Sequence, residues 1–429
     1  MSTLSDGKNV SSGKVLFVDD EINILKSIAR SFLNAEFEVF TATSAEEGLK
    51  VLENQDIDIV VTDYRMPSMD GFQFLGIVKV QHPRVNRVIL SGFIEKSAAV
   101  ESLTRGIAST YILKPWMNAE VEEKINHILE TRKLLKSNRL LGVINRIETL
   151  PTLTNTYRDF IAAVAQERSM ADITKIIQRD PSVATKVLHI ANSAFYGLKN
   201  CSSVGHAAVT IGLDTLHDIL LTLSVIGTSV WNRNRIECLK EIFTASVIMN
   251  AMLPELYRKK NGSHLQKNFP SVGLTYDVGK VVLLQYFPER FEETIERMEK
   301  SGEAGRFYES EISLGFSESS HQEIGAFFLD FWNLPAVFVE TALYHHTPAK
   351  ASVHYRDVVE VLGFIDLMID RIRACGAADE PDPESLPQGF FPMDQTADIA
   401  RGIRKRLNAL SLNFPLPVLT ESQDSSSPR

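Results

Sequence analysis

Asp19 and Asp20 stand directly after one short run of β-branched and apolar residues, Asp63 closes a second, Ser91 a third and Lys114 a fourth. A carboxylate that takes up a phosphoryl group needs a divalent ion to hold the donor and screen the developing charge, and magnesium prefers carboxylate and water oxygens in an octahedral shell. Asp19, Asp20 and Asp63 offer such a set. The Lys114 ammonium is suited to pair with a phosphoryl oxygen, and the Ser91 hydroxyl to hydrogen-bond another. The Lys114-Pro115 step directs the lysine at the strand end. Taken alone, an Asp-Asp pair is usually a turn or a helix cap; the weight rests on five such residues falling at strand ends together.

The elements that must position them follow from the pattern of residues 14–133. KVLFVD, FEVFTA, IDIVVTD, RVILSG and STYILK read as strands, separated by amphipathic helical stretches or loops. Such βα repetition requires a parallel sheet with helices on both faces. IDIVV is nearly continuous apolar, as a central strand should be. The fold predicted is a doubly wound α/β domain with a five-stranded parallel sheet. In such sheets ligands bind outside the carboxyl ends of the strands, where the five residues lie.

VLFVDDE, VVTDYRMPSMDGFQFL, ILSGF and YILKPW, in this order and spacing, resemble the receiver domain of bacterial response regulators, which is flavodoxin-like in fold. The resemblance implies that Asp63 is the phosphoacceptor and that Asp19, Asp20 and Asp63 bind Mg2+, with the backbone carbonyl of Arg65 completing the shell. It further implies that Ser91 and Lys114 respond to the phosphate and that Tyr111 is an aromatic switch. Without the resemblance, Tyr111 reads as ordinary strand packing. The implied phosphodonor is a sensor histidine kinase, a phosphotransfer protein or a small molecule.

Beyond residue 133 the strand signal disappears. SMADITKIIQR, VATKVLHIANSAF, LDTLHDILLTLSVI, HQEIGAFFLDFW and YRDVVEVLGFIDLMIDRI carry apolar residues at i, i+3, i+4 spacing, so the second half is expected to be all helical. Asp180-Pro181-Ser182 is a helix start, with Asp180 as cap and Pro181 in the first turn. ANSAFYG and AVTIGLDTL are similar to phrases of the HDOD domain, a helical relative of the HD-type metal-dependent phosphohydrolases. The likeness covers residues 150–348, with 349–413 as a helical extension. Where the related enzymes carry an HDIGK phrase, this chain reads Tyr276-Asp277-Val278-Gly279-Lys280, and IFTASVIMNAM (242–252) lacks the upstream histidine. The resemblance therefore implies a degenerate remnant, Tyr276 and Asp277, with no cofactor in the output half and no catalysis. His217-Asp218 reads as a solvated helical pair. His345-His346, about 100° apart on a helix, reads as a helix C-terminus and not as two ligands of one ion.

The function expected is a phosphorylation-dependent response regulator whose non-catalytic output half binds a partner protein. The alternative is a phosphohydrolase or cyclic-di-GMP phosphodiesterase with an atypical ligand set. Formal net charge is −9, and residues 1–135 carry 15 Lys and Arg against 19 Asp and Glu, so neither half has the basic footprint of nucleic-acid binding. Pairing into a homodimer is compatible with the sequence. Cys201, Cys238 and Cys375 form no C-x-x-C pair, and no apolar run approaches the about 18 residues of a membrane span, which fits the cytoplasm. Residues 1–13 and 414–429 read as polar tails. The connector, residues 134–149, reads either as a continuation of the last receiver helix or as a second helix after a break near Ser137-Asn138. A stiff helix over about 118–148 is the expected route of the signal.

Overall fold

The computed structural model describes residues 13–411 other than 93–98, 100, 101, 104, 133–137, 146, 148, 149, 153, 154, 194, 195, 197, 199, 226–230, 232, 267, 268, 270, 301–305, 317, 318, 375–385 and 388. The expected tails fall outside this range, except that Gly13 already opens the first strand.

Five parallel strands, β1 (Gly13–Val18), β2 (Phe37–Ala42), β3 (Ile59–Asp63), β4 (Asn86–Ser91) and β5 (Thr110–Leu113), pair in the order β2-β1-β3-β4-β5. The central strands are apolar on both faces, so both faces must be covered. Val15, Phe17, Ile59 and Val61 pack against Leu25 and Ile28 of helix Ile22–Ser31 and Val121 and Ile125 of helix Asn118–Arg132. Leu16, Val18 and Val60 pack against Leu52 of helix Ala45–Asn54 and Phe74, Leu75 and Val78 of helix Gly71–Gln81. The strand order reverses between β1 and β3, which opens a crevice at their carboxyl ends. Asp19 and Asp63 lie there.

From Asn138 onward the regular elements among the described residues are all helices. Helix Pro181–Ala191 is buried along its whole length and forms the centre of the bundle. Asp180 caps it as expected, accepting from the Ser182 and Val183 N–H groups, and its other oxygen accepts the Thr156 hydroxyl at 2.9 Å. Helix Arg356–Ala374 packs along helix Arg233–Asn261 and buries Val359, Leu362, Ile365, Asp366 and Ile369, so it belongs to the core of the output half.

The connector departs from the continuous helix. Helices Asn118–Arg132 and Asn138–Ile144 are separate, and residues 133–137 lie outside the described residues. Thirteen residues of straight helix would span about 20 Å. Yet Arg132 Nη1 (2.8 Å) and Asn145 Nδ2 (3.4 Å) both donate to Asn86 Oδ1, so the chain turns back between them. Arg87, fully buried, closes this return by donating to Asn145 O at 2.5 Å and Ile107 O at 2.8 Å. The two halves consequently pack directly on each other. Helix Asn118–Arg132 lies against helix His321–Phe331, with His127 Nε2 2.8 Å from Asp330 Oδ1. Lys186, buried in the output core, donates to Leu103 O of the receiver at 2.8 Å and lies 4.3 Å from the centre of the Trp332 ring.

Candidate functional site

Asp63 ends β3, and the loop after it is shaped to hold that end. Gly71 lies so close to the Asp63 carbonyl that a Cβ there would collide with it, and its N–H donates to Tyr64 O at 2.9 Å. Asp70 and Gln73 form a capping box that starts the next helix. Asp63 Oδ2 accepts the Arg65 backbone N–H at 3.0 Å, while Oδ1 lies 2.7 Å from Lys114 Nζ. Lys114 also reaches Asp19 Oδ2 at 3.1 Å, and Asp19 Oδ1 accepts the Glu21 N–H at 2.9 Å. The three side chains form one closed charge cluster, with Asp63 12% and Lys114 22% exposed. Burial raises the Asp19 carboxyl above its usual range, against the pull of Glu21 and Lys114. Burial alone would lower Lys114, but its bonds to Asp63 and Asp19 keep the ammonium raised.

Asp20, next to Asp19 in the chain, is exposed, Ser91 ends β4 beside Leu113, and the Lys114-Pro115 bond is cis. The side chain of Ser91 lies outside the described residues. The Tyr111 ring is buried in the sheet's inner face, and its hydroxyl is raised above its ordinary pKa by that burial. Carboxylate oxygens converging on one reactive carboxylate, with an ammonium between them, suit a hard divalent ion of the magnesium type. Asp19, Asp20 and Asp63 would hold it.

The output half contains a second polar cluster, buried and largely missed by sequence reasoning. Tyr276 and Asp277 precede helix Val278–Tyr286, whose Gly279 packs on the His321 carbonyl so closely that any Cβ would collide. That contact sets Asp277 beside His321 (Oδ1 to Nε2, 3.6 Å). Asp277 Oδ2 is held by Lys280 at 2.7 Å. The buried Tyr276 hydroxyl donates to Asp366 Oδ1 at 3.0 Å, and burial holds it well above its ordinary pKa, so it acts as a neutral donor. Arg306 pairs with Asp366 at 3.3 Å.

His345 and His346 do stand at a helix end, since helix Ala336–Tyr344 stops before them, but the expectation that they diverge is incorrect. The 100° rule applies inside a helix. Here both rings turn onto His321, with Nε2 to Nε2 distances of 3.3 Å from His345 and 3.2 Å from His346. Burial lowers the pKa of all three imidazoles. His217-Asp218 is the solvated pair expected, at 3.3 Å, with His217 Nε2 on the Tyr157 hydroxyl. Three histidines within 26 residues, out of ten in the chain, were the available signal for the cluster. What hid it is that only the fold brings Asp277 and Asp366 to them.

A model of the response regulator receiver domain matches residues 15–126, and one of the HDOD domain matches residues 150–348. Hydrogenase transcriptional regulatory protein HoxA of Cupriavidus necator is 28% identical over 180 residues, 41% of this chain and 36% of that protein. An uncharacterised protein of Treponema pallidum is 23% identical over 242 residues, 56% of this chain and 45% of its own length. The chain thus spans less than half the length of these curated relatives. Among solved structures, a receiver domain from Clostridium thermocellum is 32% identical, covering 28% of this chain and 98% of that one with a TM-score of 0.27. The MmoQ response regulator of Methylococcus capsulatus is 19% identical and covers 62% of this chain and 98% of its own, with a TM-score of 0.42.

Proposed function

This chain is a response regulator receiver domain followed by an HDOD domain, and from that premise we propose that phosphorylation of Asp63 sets how the receiver grips a non-catalytic output half that binds a partner protein. A receiver implies a kinase as phosphodonor. An oxygen of Asp63 attacks the donor phosphorus, and the bond to the donor breaks as the new P–O bond forms. Asp19, Asp20 and Asp63 would hold Mg2+, which would supply charge screening there. Lys114, bonded to Asp63 and Asp19 beforehand, has to re-seat on a phosphoryl oxygen, since phosphorylation adds roughly −1 or more net charge at Oδ.

The observation that carries this reading is the course of β5. Thr110 at its start lines a small cavity between the halves together with Phe327 and Asp330. Lys114, one residue past its end, holds Asp63. A four-residue strand spans about 13 Å, so a shift at Lys114 is delivered to the contact with the output half along one rigid segment. This route replaces the straight connector helix. Among the described residues no helix is long and apolar enough to cross a membrane.

Acetyl phosphate labelling tests the site. Wild-type protein takes one phosphoryl group with Mg2+, and Asp63→Ala takes none; wild-type labelling of that variant contradicts the proposal. The phosphohydrolase reading draws on one observation, the histidine cluster beside a cavity of about 570 Å³ lined by Tyr276, Asp277, Lys280 and Asp366. Turnover of cyclic-di-GMP by purified protein, abolished by Asp277→Ala, would favour it over the binding module.

A further inference from the structure

We propose that His321, His345 and His346 form a binding site for one divalent transition-metal ion of the imidazole-preferring kind, Zn2+, Fe2+ or Co2+, with Asp277 as fourth ligand. The site is independent of the phosphorylation chemistry at Asp63 and lies in the other half of the chain.

The hydrogen-bond partners prepare the rings for this role. Glu311 accepts the His321 backbone N–H and an Arg290 N–H and lies 2.6 Å from His321 Nδ1, while burial pushes its carboxyl up to about 7. A carboxylate behind an imidazole fixes its tautomer and raises its basicity, leaving Nε2 bare. His345 Nδ1 donates to Ala342 O at 2.9 Å, which leaves its Nε2 bare as well. These two bare nitrogens face each other at 3.3 Å, and His345 Nε2 meets no other polar partner among the described residues. Without an ion, the His346 Nε2 hydrogen is the donor to His321 Nε2 at 3.2 Å, and His345 Nε2 is left without a donor among the described residues.

The spacing is that of ligands sharing an ion. With metal–nitrogen bonds of about 2.1 Å, neighbouring nitrogens lie about 3.0 Å apart in an octahedron and about 3.4 Å apart in a tetrahedron. The observed 3.2 and 3.3 Å fall between these values, and the three ring nitrogens lie within 4.8 Å of one another. An independent observation points to the same space: Asp277 Oδ1 is buried with no hydrogen-bond partner and lies 3.6 Å from His321 Nε2. A buried carboxylate oxygen left bare is costly, and a bound cation would satisfy it.

Two cations oppose the ion. Lys280 holds Asp277 Oδ2, and Arg306 donates to His346 Nδ1 at 2.7 Å, which leaves the hydrogen of neutral His346 on Nε2. Binding therefore moves that hydrogen to Nδ1, where Asp366 Oδ2 at 3.4 Å accepts it while Arg306 keeps Asp366 and Asp370. No net proton is released by His346 in this exchange.

Titration of the full-length protein with Co2+ in excess Mg2+, followed by d–d absorption and by metal content after gel filtration, tests the site. One equivalent of Co2+ is expected in the wild type and in Asp63→Asn. His345→Gln and His346→Gln should each lose at least tenfold in affinity, and Lys280→Met should bind more tightly because a competing charge is gone. Circular dichroism checks that the variants are folded, and Asp277→Asn serves as a second test if a histidine variant is not. Absence of bound Co2+, or the same stoichiometry and spectrum in wild type and folded variants, would overturn the assignment.

Discussion

Lys114 is seated between Asp63 and Asp19 before any phosphoryl group arrives, so the proposed phosphoacceptor pocket is already closed on itself. Asp20, exposed and outside that closed trio, is the carboxylate that would act on the ion alone. Asp20→Ala is expected to fold normally and to raise the Mg2+ requirement for acetyl phosphate labelling by on the order of tenfold or more. Labelling rates measured across a Mg2+ series check this; an unchanged Mg2+ dependence would remove Asp20 from the site. These residues were legible in the sequence because each sits at a strand end within a short, specific phrase. Arg87, which opens an apolar run, and Lys186, which lies inside one, were not legible as contacts, because what they bind (Asn145 O, Leu103 O) is set by packing between the halves.

Among the elements, helix Val278–Tyr286 can lie on helix His321–Phe331 only because residue 279 has no side chain. Gly279→Ala should destabilise the output half by about 2 kcal/mol or more. Gly76→Ala, in helix Gly71–Gln81 with nothing near its Cβ, should stabilise by about 0.5–1 kcal/mol. Thermal melts of the two variants test the contrast, and equal shifts would contradict the packing argument. Helix Asn118–Arg132 meets helix His321–Phe331 through His127 and Asp330, and the bond to Asp330 raises the His127 pKa above 6.5. The folded value is raised, so this pair stabilises the contact fully below pH 6.5 and is lost as pH rises through the folded-state pKa. His127 is 60% exposed, which limits the effect to under about 1 kcal/mol. Stability curves of wild type and Asp330→Asn should diverge at pH 6 and converge by pH 8.5. Strands and helices were readable from period-2 and i, i+3, i+4 patterns; the break near Ser137-Asn138 was readable only as one of two alternatives, since an apolar stripe continues through it in either arrangement.

For the whole molecule, direct packing gives the proposed signal a route that bypasses the linker. A continuous cluster of buried apolar side chains runs from Ile89 and Tyr111 of the receiver through Leu141, Ile144 and Leu150 into the output helices. Four Gly-Ser residues inserted after Lys136 should therefore leave phosphorylation-dependent partner binding largely intact, opposite to the outcome a stiff helical lever requires. The sequence announced two domains and their order but not their contact, because the buried residues of each that meet the other read as ordinary core positions of their own half. Hydrogen–deuterium exchange with and without acetyl phosphate tests the central claim most directly. With Asp63 phosphorylated to near completion, amides of residues 118–132 and 321–331 should change their exchange together, and Asp63→Asn should abolish the change. Identical exchange in both helices despite stoichiometric phosphorylation would contradict control of the output half through this contact.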